Sequence, residues 1–318
     1  MEVIVRKSTE LSESEFHQIA RLFEDVFEKH RTIELLRRQY EQNPFGYAWM
    51  SMLVDDGRIV GLNSYVPSYY VYNGRRLVFA NSIDSMVEKP YRDFFNFNDM
   101  IRKAYKTMHA NGVVFVYGYP NDNSYPVLIK SKLMKEIGKM HTYCLPLHIG
   151  GIKPSLRILN PISELLCRLY AIGSGLFSSS SNYKAIIVKE EKSYNKTRYK
   201  RGDQDYETYI FPDGLTIFYK IKIHEGIRTA FLIDLNEKSP KSFNKAVRHI
   251  ITNHRKDFDI LLYPGWLYFA NTSMLRIPRK LEPKNFNFTG KILDRNVIGD
   301  DIWDISNWDT NLSNYDLI

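Results

Sequence analysis

The chain has 318 residues and a mass of 37.4 kDa, with 44% apolar, 14% aromatic and 25% charged residues. That composition excludes a disordered chain, a collagen and a coiled coil, and the length predicts about two domains. Lys and Arg outnumber Asp and Glu by 44 to 36, a formal charge of +8 that favours a polyanionic partner: nucleic acid, anionic lipid or a phosphorylated cofactor. The charge is uneven, since residues 184–201 hold seven Lys or Arg against two Glu, while 294–318 hold six Asp and only Arg295. Two cysteines, Cys144 and Cys167, form no CxxC pair, and no apolar run reaches the roughly 18 residues of a membrane span. MEVIVRKSTEL lacks the apolar core of a secretory signal. A reducing, cytoplasmic setting with no stable membrane insertion is expected.

Ser12 or Ser14 caps a helix whose Phe16, Ile19, Leu22, Phe23 and Val26 share one face, and a second helical stretch covers 32–42. From Ala48 to Lys89 the pattern reads as three antiparallel strands joined by turns at DDGR and YNGR. After Pro90 it becomes helical, with Phe97, Met100, Ile101, Ala104, Tyr105 and Met108 on one side and a stop at Asn111-Gly112. VVFVYGYP is a short buried strand, and a further helical piece lies near 125–134.

The composition changes at 150–182: GGIKPS, an apolar helix PISELLCRLYAIGSGLF, then Ser178 to Ser181, a linker between domains 1–149 and 183–318. Glu164 and Arg168 interrupt the apolar helix, which favours packing in a core over resting on a membrane. Beyond it YETYIFPD, LTIFYKIKIH and RTAFLIDL read as strands, Ser239-Pro240 opens a helix to His254, and FDILLYPG is another strand. The second half thus repeats the order of the first, and the fold class is α/β with mixed sheets.

The stretch YGYPNDNSYP, Tyr117 to Pro126, and the end FTGKILDRNVIGDDIWDISNWDTNLSNYDLI resemble a bacterial branch of the GNAT acyltransferases associated with polysaccharide-synthesis loci. The resemblance implies two tandem GNAT-like modules and acetyl-CoA as cofactor. It also implies N- or O-acetyl transfer to a small acceptor, for instance an amino sugar. That branch carries V-x-P-x-Y-R-G-x-G-x-F at its cofactor loop, aligned here with VEKPYRDFFNF, Val87 to Phe97. Arg92 and Phe97 match, whereas Asp93 and Phe95 stand where glycines let backbone N–H groups at a helix N-terminus approach a pyrophosphate. Cofactor contacts are accordingly expected from Met86, Val87, Arg92, Asp93, Phe94, Phe95, Asn96, Phe97, Asn121 and Asn123. Lys132-Leu133-Met134 replaces the family's L-G-F or L-G-W, and Leu128 or Ile129 aligns with its acid tyrosine, leaving Tyr125 as the nearby phenol. The alternative reading is a GNAT-like binding or scaffold protein that has lost acetyl-CoA.

An acyl transfer needs a base for the nucleophile. Asp84 and Glu88, four apart and on one face of a regular strand, are the candidates, and a solvated strand edge would use the same residues. Asn121 to Asn123 would serve a binding loop or a plain turn. The basic run Lys196 to Asp203 reads as a solvated loop, so no nucleic-acid partner is expected. His249 and His254, five apart, share no helix face, and no metal site is expected. The acceptor, the acyl group and the oligomeric state stay open.

Overall fold

A computed structural model describes every residue except 177–184, 191–205, 270, 271, 283 and 316–318. Ser178 to Ser181 and the basic run Lys196 to Asp203 lie outside the described residues. In chain order the main elements begin with β1 (Glu2–Lys7), α1 (Glu13–Phe27), α2 (Ile33–Glu41), β2 (Trp49–Asp55), β3 (Arg58–Tyr72) and β4 (Arg75–Val87). α3 (Phe94–Ala110), β5 (Val113–Gly118), α4 (Ser124–Lys130), β6 (Lys135–Lys139), β7 (His141–Pro146), α5 (Ile149–Ile152) and α6 (Asn160–Leu176) follow. β8 (Ile187–Lys189), β9 (Glu207–Ile210), β10 (Thr216–His224), β11 (Ile227–Leu235), α7 (Pro240–His254), β12 (Ile260–Gly265), β13 (Leu275–Arg276) and β14 (Asn287–Ile292) complete the chain. The described residues divide into two compact units. Unit 1 takes those of Met1–Lys139, Ile186–Asp203 and Phe286–Trp308, and unit 2 those of Met140–Ala185, Gln204–Asn285 and Asp309–Ile318.

In unit 1 the strand order is β1-β2-β3-β4-β5-β14-β6, with β8 added to β3. β4 and β5 are parallel and the other pairs antiparallel. Ser12 is the N-cap of α1 and forms a capping box with Glu15, leaving Ser14 inside the helix. The turns at DDGR and YNGR form as expected, with Asp56-Gly57 and Asn73-Gly74 all at positive φ. Phe16, Ile19, Leu22 and Phe23 of α1 and Leu36 and Tyr40 of α2 pack on Met50, Met52, Leu62 and Met86. On the opposite face Ile101, Ala104 and Met108 of α3 pack on Trp49, Tyr65, Ala80 and Val116. Each such apolar side chain contributes about 1.5–3 kcal/mol on burial, so the two helical layers fix the sheet between them.

The sequence reading placed the whole of 183–318 in a second module; the structure puts β8 and β14 in the first sheet. Trp308, also in unit 1, packs among Tyr70, Phe79, Phe115, Tyr117 and Phe288, with ring centroids 4.8–6.3 Å from it. A Cβ on Gly290 would sit 2.3 Å from Phe115 Cζ, so any other residue there would force the Phe115 ring to shift. β1, which the sequence reading did not assign, pairs with β2 at the edge.

In unit 2 the order is β13-β7-β12-β11-β10-β9, with β11 parallel to β12. Ser239 caps α7 with Pro240 in its first turn, and Phe243, Ala246, Val247 and Ile250 pack on Leu232, Leu261 and Tyr263. The buried Lys238 ammonium lies 3.0 Å from Asp234 and is ion-paired with Asp309. α6 corrects an expectation. Cys167 and Ala171 do enter the core, but Ile162, Leu165, Leu166, Leu169 and Ile172 are all more than half exposed.

Candidate active site

The ladder between the parallel strands runs from Val78 and Val113 to Ser82 and Gly118. β5 ends there, whereas β4 continues along β3 to Val87. A gap therefore opens beside Ile83–Val87, and α3 begins seven residues beyond it. Met86 is buried toward the α1/α2 layer and Val87 toward α3, so the strand lining the gap is anchored from both faces.

A β-bulge lies in this stretch. Ile83 pairs with Ser64 and Met86 with Leu62, so Asp84 and Ser85 together oppose the single residue Asn63. Asp84 has φ of 47°, a left-handed conformation that Asp tolerates better than most non-glycine residues. The bulge breaks the alternation assumed from sequence. Both Ile83 and Asp84 reach the α1/α2 layer, where Tyr40 Oη and Gln39 Nε2 each donate to Asp84 Oδ2 at 2.9 Å. Arg31 lies 3.5 Å from the same oxygen, and the Asp84 side chain is only 5% exposed. Burial first, then the Asp84 charge, raises the Tyr40 phenol well above its ordinary pKa, so Tyr40 stays a donor. Asp84 is thus not solvated, although β4 has an open margin there. Glu88 instead pairs with Arg58 at 2.5 Å and shares none of these partners; the structure does not bring the two carboxylates into one cluster.

On the α3 side, the buried Asn63 accepts from Ser85 and Ser82 at Oδ1 and donates to Tyr65. Sequence reasoning missed Asn63, Arg31, Gln39 and Tyr40. The available signal was the polar pair Asn63-Ser64 inside a central strand, and Asn81, Ser82, Asp84 and Ser85 clustered in the next.

From Glu88 to Asp93 the chain makes a 3-10 turn, Lys89–Tyr91, with no left-handed residue, so the absent glycines are not needed for the turn itself. Asp93 is the N-cap of α3, its Oδ1 accepting the Asn96 N–H at 2.7 Å, and Asn96 Nδ2 returns a bond to the same carboxylate. Arg92 Nε donates to the Val87 carbonyl at 2.7 Å, tying the loop to β4. Phe95, the second residue of α3, is 77% exposed. Phe94 is the first residue of α3, and Phe97 packs inward among the residues under that helix.

After β5, Asn121 Oδ1 accepts from the N–H groups of Asn123 and Ser124 and from the Ser124 hydroxyl. These bonds make Asn121 a turn residue that starts α4, and Asn121 and Asn123 are both exposed. Tyr125 donates its hydroxyl to Glu136 of β6, three strands from β4. Leu128, aligned with the family's acid position, is buried in the core beneath α3.

Residues 7–128 match the family model of the acetyltransferase (GNAT) domain. The fold is that of GNAT acetyltransferases. Over 92% of this chain, a GCN5-related N-acetyltransferase from Anabaena variabilis superposes with a TM-score of 0.61 at 12% identity, 73% of its own chain being covered. A conserved protein of unknown function from Enterococcus faecalis, a probable N-acyltransferase, gives 0.58 at 13% identity, with 92% and 73% covered. Eis1 from Mycobacterium abscessus gives 0.57 at 10%, with 92% and 74% covered. No curated protein matches the sequence.

Proposed function

We propose that this protein is an acetyl-CoA-dependent N- or O-acetyltransferase of the cytoplasm, with its active site in unit 1 where β4 outruns β5. The observation that carries the reading is that gap, bordered by the bulge at Asp84 and followed by the N-terminus of the 17-residue α3. An extended strand margin beside Met86 and Val87 fits the amide-bearing arm of coenzyme A, and the first turn of α3 with Arg92, Asn96 and Phe97 fits its pyrophosphate end. Bound there, the thioester would supply an activated acyl carbon. Asp84 takes the proton that the acceptor's amine or hydroxyl loses, and Tyr40, Gln39 and Arg31 fix the orientation of that carboxylate. The acceptor class we favour is an amino sugar of polysaccharide synthesis, supported by the resemblance of YGYPNDNSYP and the C-terminal segment to that branch. Unit 2, with its meander, α7 and parallel β12, reads as a second, degenerate module.

One observation favours the second reading, a scaffold without cofactor: Asp93 places its carboxylate on the α3 N-terminus, where a pyrophosphate would need the same N–H groups. Two measurements separate the readings. Acetyl-CoA at about 100 times its dissociation constant should stabilise the protein by roughly 2.7 kcal/mol, and free thiol should appear when an amino sugar is added. No stabilisation and no thiol release would leave the scaffold.

A further inference from the structure

We infer that the exposed face of α6 and the turn before it form a docking surface for an anionic membrane. Ile162, Leu165, Leu169 and Ile172 follow one another at three- and four-residue steps, one stripe of the helix, and are 52–56% exposed. Leu166 at 60% widens the stripe and Ile158 at 86% extends it. The opposite face is already used, since Cys167 and Ala171 are in the core of unit 2 and Ser163 and Ser174 bond to the Pro146 carbonyl and the Ser273 hydroxyl. So many aliphatic side chains in one exposed patch exceed what a monomer leaves on its surface without a use.

The charges around the stripe decide its occupant. Residues 149–176 contain Lys153, Arg157 and Arg168, all exposed, and a single carboxylate, Glu164. That carboxylate is engaged by Arg255 at 3.2 Å, with Arg168 at 3.9 Å and His148 at 3.5 Å. A second copy of the chain docking on the same face by two-fold symmetry would bring Arg168, on the flank of the stripe at mid-length, close to its own counterpart. An anionic lipid surface accepts all three cations, and aliphatic side chains between them can enter the headgroup boundary. The helix lies on the surface and does not cross it, because no described helix is long and apolar enough to span a bilayer.

Flotation of the full chain with vesicles of equimolar phosphatidylglycerol and phosphatidylcholine, and with phosphatidylcholine alone, tests this. The wild type should partition onto the anionic vesicles at least tenfold more strongly than onto the neutral ones. Leu165→Glu with Leu169→Glu should weaken that binding at least tenfold at an unchanged melting temperature, both side chains being exposed. Lys153→Glu with Arg157→Glu, which spares the stripe, should weaken it too. Ile223→Glu, at a 75% exposed residue of β10, should leave it unchanged. Wild-type protein that stays unbound with anionic vesicles overturns the inference, as does undiminished binding by the Leu165/Leu169 variant. A wild-type dimer in sedimentation that this variant dissolves, without vesicle binding, would assign the surface to a second copy and equally overturn it.

Discussion

Replacing Asp93 by Asn separates the two roles that meet at the start of α3. The side chain accepts the Asn96 N–H at 2.7 Å, and an asparagine oxygen can take the same bond, Asn and Asp being comparable N-caps. Only the charge goes, and with it the 0.3–1 kcal/mol by which an anion favours a helix N-terminus. The variant should therefore lose no more than about 1 kcal/mol of stability. If a pyrophosphate binds at this terminus, the same charge repels it. Two unit charges at 4 Å cost about 1 kcal/mol in water and less at greater distance and physiological salt, so against a diphosphate the penalty is about 1 kcal/mol, roughly fivefold in Kd. Calorimetric titration of wild type and Asp93→Asn with acetyl-CoA at low and high salt reads this directly. Binding should tighten about fivefold in the variant, with a smaller difference at high salt. Phe95→Ala removes no charge and should show no such salt-dependent gain. Equal affinities for wild type and Asp93→Asn would refute the placement of the pyrophosphate, and an equal salt-dependent gain with Phe95→Ala would refute the argument from charge.

Asp84→Asn should lower the transfer rate at least a hundredfold. It should also cost about 1.5–3 kcal/mol in denaturant unfolding, because Tyr40, Gln39 and Arg31 lose a charged acceptor. Gly290→Ala should destabilise by about 1–3 kcal/mol by forcing Phe115 aside; a neutral result in unfolding would contradict the position of β14 beside β5. His141 is driven down to a pKa of about 4 from 6.5 by burial, then by the Arg279 and Arg276 charges. The unfolded chain thus binds the extra proton between those values, and stability should fall as pH drops from about 6.5 to 4. His141→Gln should flatten that part of the profile in pH-dependent melting.

Local patterns were readable wherever one periodicity governed a segment. The DDGR and YNGR turns and Ser239-Pro240 each carry a short-range physical signal, and each forms as read, while of the two N-cap candidates Ser12 and Ser14 the structure uses Ser12. The assignment of β14 was not readable, because Asn287–Ile292 is an ordinary strand whose sheet is chosen by Phe115 and its β5 neighbours, far away in sequence. The site shows the same division. Asp84 was singled out, but its setting depends on a bulge, and a bulge reverses the inference from spacing by turning one more residue to the same side. Tyr40, Gln39 and Arg31 sit 44 to 53 residues before Asp84, on α2 and the loop leading to it, and nothing in their own spacing marks them. For α6 the apolar composition was plain, yet only the three-dimensional arrangement shows which half of the helix its neighbours cover.

The central claim is that the gap beside Ile83–Val87 holds coenzyme A, and a crystal structure of the protein grown with coenzyme A tests it most directly. The account predicts density running along β4 past Met86 and Val87, with the pyrophosphate at the first turn of α3 near Arg92. Coenzyme A bound elsewhere, or crystals from saturating ligand that leave this gap empty, would contradict it.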